Sequence, residues 1–193
     1  MSSDLVVGDD ELARCAWAAA SADYRDYHDS EWGVPIRDDR ALYERLCLES
    51  FQSGLSWITI LRKRPGFRAA FAEFDPEVVA EFGPTQIDAL LADASIVRHR
   101  GKIQATITNA QAVLALWKSE GPGALTTLLS SAAPQPAPVP QSLADIPAST
   151  AESAALARDL KRRGFTFLGP TTLYAALQAT GFVNDHLAGC HRR

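Results

Sequence analysis

Helix-length apolar stripes, each opened by a capping residue or a proline and closed by a glycine, follow one another along most of this chain. That punctuation limits the fold more than any other feature. In "DDRALYERLCLESFQSG", Leu42, Leu46, Cys47 and Ser50 recur at three- and four-residue spacing, with Asp38 as the expected N-cap and Gly54 as the stop. "SWITILRKR" opens a second helix. "DPEVVAEFG" and "GPTQIDALLAD" each place a proline in a first turn, with Thr85 as the expected cap of the latter. "GKIQATITNAQAVLALWKSEG" is the longest, carrying Ile103, Ile107, Ala110, Val113, Leu114 and Trp117 on one stripe. Thr150 or Ser149 caps "AESAALARDLKRRG", and "PTTLYAALQATG" follows. No strand pattern competes, and no internal repeat is present. The expectation is an all-α fold.

With 193 residues, 47% of them hydrophobic, the chain can bury one substantial core. Residues 15–193 are expected to form a single helical domain, preceded by a flexible acidic extension over 1–14. The prolines of 132–150 form a surface connection within the domain, and the glycine-bounded "RGFTFLG" (163–169) joins two helices as a hairpin. No apolar run suits a bilayer and no leader pattern opens the chain, so a cytoplasmic protein without a membrane partner is expected.

The formal charge of −4 argues against a nucleic-acid partner, but its distribution does not. Positive charge gathers in "RKRPGFR", "RHRGK" (Arg98, Arg100, Lys102) and "RDLKRR". Each cluster can be a solvated helix end. Together, beside the hairpin's Arg163, Gly164 and Gly169, they form a candidate phosphate-binding face, since glycines let backbone N–H groups approach an anion. An ordinary packed helical hairpin is the alternative.

Three cysteines spread over the chain do not form a disulfide framework; reduced thiols or a metal are the better readings. The tail raises the same question, because His186 and Cys190 sit four residues apart where most chains fray. The segment "YRDYHDSEWGVP" crowds Tyr24, Tyr27, His28, Glu31 and Trp32 together, with Trp17 just upstream. Acids and a histidine among aromatics suit a pocket wall better than a dry core.

These residues carry a resemblance. "CAW", "YHDSEWGVP", "CLESFQSGLSWITILRKR", "IVRHRGKIQATITNA", "KRRGFTFLGPTTLYAALQATGFVNDH" and Cys190 together resemble the 3-methyladenine DNA glycosylase I (Tag-type) family, from about Cys15 to Cys190. The resemblance implies a helix-hairpin-helix glycosylase fold and a DNA-repair enzyme that flips and hydrolytically excises N3-methyladenine from double-stranded alkylated DNA. The free base would be the product, and no obligatory protein partner is implied. It also implies one structural Zn2+ on Cys15, His28, His186 and Cys190. Two thiolates and two imidazoles complete a tetrahedron and leave no open position. Cys47 stays in the core.

By the same matching, Tyr27 and Trp57 stack on the flipped base, with Trp17, Tyr24 and Trp32 as further walls. Glu49 is the matched buried carboxylate, complementing a cationic purine. Leu55, in "SGLSW", resembles the apolar wedge that fills the vacated stack. Asn184 stands where many members of the wider superfamily carry an aspartate, and Asp185 is offset by one. No general base is therefore assigned, and with no matched lysine nucleophile no lyase activity is expected. Two rival classes remain: a zinc-stapled DNA-binding module without catalysis, and a metallohydrolase, which would need an open metal position.

Overall fold

Capping chemistry fixes where the helices begin. The computed structural model describes residues 4–133 and 138–193. Helix α1 (Ala22–Ser30) starts on Ser21, whose hydroxyl accepts from Tyr24 N. Helix α2 (Asp39–Gln52) starts on Asp38, as expected, and ends before Gly54, whose φ of +82° few other residues adopt. Helix α3 (Trp57–Ala70) runs through Pro65 without ending there. The short α4 (Pro76–Val79) follows Asp75. In α5 (Pro84–Ala92) the cap is Gly83 rather than Thr85, because Pro84 already occupies the first turn and the Gln86 side chain accepts from Gly83 N.

The 21-residue α6 (Arg100–Glu120) is the central helix, burying Ile103, Ile107, Ala110 and Val113 as its stripe predicts. Helix α7 (Ala124–Ser131) was not foreseen from the sequence. Buried Asp39 holds its N-terminus, accepting from the amides of Gly123, Leu125 and Thr126. Helix α8 (Ala151–Arg162) is capped by Thr150, and α9 (Pro170–Ala179) begins after Gly169.

The expectation of no strand is corrected. Leu5–Val7 (β1) and Ala13–Cys15 (β2) pair antiparallel, Leu5 opposite Cys15. The stretch read as an exposed extension is thus a hairpin from its fifth residue onward, tied down by Arg14, which bridges Asp10 and Asp29. Part of the expected proline-rich connection, 134–137, and residues 1–3 of the extension lie outside the described residues.

Most of the core lies among α2, α3, α6 and α9. Phe51 and Phe67 pack at 4.6 Å between ring centroids, and Phe71 on Phe74 at 5.6 Å. Each fully buried Phe contributes roughly 1.5–3 kcal/mol. Cys47 is buried within this cluster, as expected. A second, small cluster joins Cys15, Leu187 and Cys190, with Trp17 and Ile146 packed against both. Two sequence ends therefore meet beside the main core.

Candidate active site and metal cluster

Five aromatic side chains singled out in the sequence converge on one cavity of about 180 Å³: Trp17, Tyr24, Tyr27, Trp32 and Trp57. Helix α1 supplies both tyrosines, and Trp57 is the first residue of α3. The Tyr24 hydroxyl accepts from Ile58 N at 3.1 Å, locking α1 to the start of α3. Trp17 meets Tyr24 and Trp32 edge-on at 5.8 and 5.2 Å, and Tyr27 lies 5.3 Å from Trp57. Buried Trp57 Nε1 finds no partner among the described residues.

Glu49 forms the polar end of this cavity, 5% exposed on the inner face of α2. Its carboxylate makes no hydrogen bond among the described residues, and the cation nearest to it is Arg45, with Nη1 at 4.0 Å from Oε1. Burial pushes its pKa up, only partly opposed by Arg45, to about 7. The carboxylate is therefore poised between its two forms at neutral pH, with its oxygens free to accept from a ligand.

At the mouth lies the loop after α2. Leu55 is 44% exposed, and Gly54, Leu55, Thr171 and Thr172 line an adjoining cleft that shares Glu49. Lys102, expected at a phosphate-binding surface, is turned inward instead. It is 7% exposed, and its Nζ donates to Phe51 O at 2.9 Å and Ser53 O at 2.5 Å, with desolvation lowering its pKa. The last carbonyls of α2 attract a cation more strongly than solvent does at that buried position. Lys102 fixes the loop that presents Leu55.

Arg98 is exposed and makes no ion pair among the described residues, whereas Arg100 pairs with Asp88 at 3.0 Å. Arg163 is engaged by Asp159 and Glu120, so its charge is largely neutralised. Gly164 adopts φ +92°, which the hairpin turn requires, and Gly169 precedes α9. Asn109, which sequence reasoning passed over, pins the hairpin: it donates to Thr166 O at 3.1 Å and accepts from Thr166 N at 2.7 Å. Asn184 is exposed, while Asp185 is buried and accepts from Tyr174 Oη and Gln178 Nε2, each at 2.7 Å. Gln178 in turn lines the aromatic cavity.

Behind the aromatic wall, Cys15, His28, His186 and Cys190 come together, all buried, with one donor atom from each within 4.8 Å of the others. Cys190 Sγ lies 3.4 Å from His28 Nε2 and 3.5 Å from His186 Nδ1. A tetrahedral zinc with ordinary Zn–S and Zn–N bonds sets sulfur and nitrogen about 3.6 Å apart, which the two Cys190 separations match, with Cys15 within 4.8 Å as the fourth donor. The Cys15 thiol, then His186 and His28, hold the Cys190 thiol below its ordinary range, favouring the thiolate a metal needs. Asp29 accepts from His28 Nδ1 at 2.7 Å, leaving Nε2 to face the cluster. Trp32 lies 4.5 Å from His186 and Trp17 5.1 Å from His28, so the same two indoles wall the cavity and back the ligands.

Fold and cavity define a class: mostly helical proteins built like 3-methyladenine DNA glycosylase I. A crystal structure of 3-methyladenine DNA glycosylase I (TAG) matches with a TM-score of 0.87 and 47% identity, covering 92% of this chain and 98% of that one. A variant of 3-methyladenine DNA glycosylase I in complex with 3-methyladenine matches with a TM-score of 0.86 and 36% identity, over 92% of this chain and 96% of that one. DNA-3-methyladenine glycosylase 1 of Escherichia coli (strain K12) is 46% identical over 180 residues, 93% of this chain and 96% of that relative. The sequence pattern of the methyladenine glycosylase family matches residues 17–193, and the chain belongs to that family. No helix among the described residues is long and apolar enough to cross a membrane.

Proposed function

We propose that this protein is a DNA glycosylase that flips N3-methyladenine out of alkylated double-stranded DNA and hydrolyses its glycosidic bond, releasing the free base without cleaving the strand. One observation carries the reading: a buried carboxylate, Glu49, with no hydrogen bond among the described residues, inside a cage of five aromatic side chains. A stacked base cannot be attacked within the duplex, and a flipped one needs aromatic faces to replace its neighbours. Tyr27 and Trp57 supply those faces, and the remaining aromatics close the sides. Methylation at N3 gives the purine in DNA a positive charge, which aromatic faces and an anionic carboxylate favour over a neutral base. The complexed relative, which holds 3-methyladenine in the same fold, supports the substrate class.

Leu55 occupies the space the nucleotide leaves, and Arg98, the hairpin backbone at Gly164 and Gly169, and the start of α6 meet phosphates. Arg100 and Arg163 contribute less, because acids already pair with them. The cationic purine is a good leaving group, so placement and electrostatics lower the barrier and no general base need act. Asp185 is held by Tyr174 and Gln178, which positions Gln178 at the cavity wall. Zinc would be held by Cys15, His28, His186 and Cys190, where it supplies structural cross-linking. With four protein donors it has no open position for a metallohydrolase reaction.

The test is release of bases from one methylated duplex. The expected result is efficient excision of 3-methyladenine and poor excision of 7-methylguanine. Glu49→Gln, which keeps size but not charge, should lose roughly ten- to hundredfold in excision efficiency while folding and undamaged-DNA binding persist. No base released by the wild type would refute the reading, and full activity in Glu49→Gln would remove that residue from the site.

A further inference from the structure

We infer that Arg45 is a positioning residue for the base pocket: a buried guanidinium that anchors Tyr27 and favours the anionic, base-accepting form of the Glu49 carboxylate. The inference rests on the reading of Glu49 given above and deepens it.

Arg45 lies one turn before Glu49 on α2, so both side chains project from the same face. Its side chain is 6% exposed, a burial that charged groups tolerate only when partnered. Nη1 donates to the Tyr27 hydroxyl at 3.0 Å. The same Nη1 stands 4.0 Å from Glu49 Oε1, and Nη2 stands 3.9 Å from Glu31 Oε2. Beyond Glu31, Arg64 of α3 closes the row with hydrogen bonds to both carboxylate oxygens. Four charges alternate in sign from the pocket toward the surface: Glu49, Arg45, Glu31, Arg64.

The geometry separates two tasks. Arg45 directs its hydrogen bond to Tyr27, not to Glu49, so the Glu49 lone pairs stay available to a ligand. Its charge still acts across 4 Å of protein where water screens little. Its carbon Cζ also sits 5.5 Å from the Tyr27 ring centroid and 5.2 Å from that of Trp57, so the cation braces the two faces that grip the base. Left to itself at a buried, aromatic-lined position, a carboxylate takes up a proton. A neutral Glu49 would have no preference for a cationic purine.

The other groups around Glu49 do not substitute for Arg45. Helix α1 contributes the Tyr27 phenol, and Glu31 just past its end bears the same charge as Glu49. Helix α3 contributes Trp57 and, one carboxylate further out, Arg64. From α9 and the cavity rim come neutral Gln178, Thr171, Thr172 and Gln52, with Asp185 held behind Gln178. Arg45 is the cation that opposes burial at Glu49.

Two measurements test this. The first follows the Glu49 carboxyl carbon by NMR in 13C-glutamate-labelled protein across pH 5–10, assigned by its loss in Glu49→Gln, and needs no substrate. The wild-type midpoint should lie near 7. In Arg45→Met it should rise by about one to three pH units. The second follows single-turnover release of 3-methyladenine from methylated duplex over the same range, corrected for spontaneous loss. With half of Glu49 ionised at pH 7 in the wild type and about a tenth to a thousandth in the variant, Arg45→Met should be slower by roughly five- to five-hundredfold at pH 7 and approach the wild-type rate as the pH passes its own raised midpoint. In a Glu49→Gln background, Arg45→Met should have no pH-dependent effect. Arg45→Gln can still donate to Tyr27 but lacks the charge, and it should shift the midpoint like Met. It also decides the matter if Arg45→Met fails to fold. Arg45→Lys should restore much of the wild-type profile. An unmoved Glu49 midpoint in Arg45→Met or Arg45→Gln overturns the inference. A wild type that releases no base refutes the glycosylase reading instead, and the NMR titration still decides the role of Arg45.

Discussion

Replacing Lys102 with Met separates two readings of the same residue. Its sequence context, "RHRGK", suggests a phosphate contact; the structure makes it a clamp on Phe51 O and Ser53 O. Met keeps the apolar stem and removes the ammonium. Each hydrogen bond to a charged donor contributes ~1.5–3 kcal/mol. Part of that is returned, because the ammonium is no longer desolvated and Ser53, being exposed, can turn its carbonyl to water. A net loss of about 2–3 kcal/mol remains, which for a chain of this size lowers Tm by about 4–12 °C. The affinity for undamaged duplex should keep its salt dependence, because no phosphate contact is lost. Excision should fall, because the loop presenting Leu55 is no longer fixed. Thermal unfolding by circular dichroism and fluorescence titration at several salt concentrations measure both quantities. An unchanged Tm together with a salt slope shallower by about 0.9 would refute the clamp and restore the phosphate contact.

Arg98, exposed and without an ion pair among the described residues, should show the opposite behaviour: Arg98→Ala leaves Tm unchanged and shallows the salt slope by about 0.9. Metal analysis of protein purified without chelator should find one zinc per chain, unaltered in Cys47→Ser. Chelation should lower Tm and raise hydrogen exchange first in Leu5–Cys15 and in 184–193, ahead of α6; simultaneous loss of protection across the whole chain would contradict a local clip.

Elements whose ends are set by nearby residues were legible in the sequence. Asp38, Asp75 and Thr150 each cap the helix that follows, and Ile103, Ile107, Ala110 and Val113 of the α6 stripe bury, with Leu114 and Trp117 half-buried at its end. What escaped was set from far along the chain. Strands of three residues are too short to show alternation, and the hairpin gains part of its support from the tail, where His191 N donates to Ala13 O. Helix α7 lacks a local capping side chain; Asp39, more than eighty residues earlier, accepts from its first amides. Lys102 and Arg45 escaped for a related reason. A sequence gives a cation's position on a helix but not whether a carbonyl or a carboxylate waits across the packing interface. Part of the aromatic cavity was legible because Tyr24, Tyr27 and Trp32 crowd one short segment with Trp17 just upstream, whereas Trp57 and Glu49 came in only with the resemblance. The metal cluster was not, since spacing alone offered only His186 and Cys190 as a pair, and the resemblance supplied the rest.

The cavity is braced from two sides by parts that do not touch each other's chemistry. On one side Trp17 and Trp32 rest against His28 and His186, so their angles depend on how tightly the metal donors are gathered. On the other, Tyr27 and Trp57 lean on Arg45, whose position depends on Glu31 and Arg64. A flipped base is held well only if its flanking faces keep their spacing, because stacking and cation–π attraction both decline over about an ångström of slack. Local rigidity therefore has to come from strong, directional contacts, and a buried cluster of metal-type donors and a row of alternating charges are what the chain places against the two sides. The two braces fail in different ways. Under the proposed function, removing a metal held by the four donors should slacken the indole side without altering the charge on Glu49, and so weaken capture at every pH. Losing Arg45 changes that charge, and so weakens capture most at low and neutral pH and least in alkali.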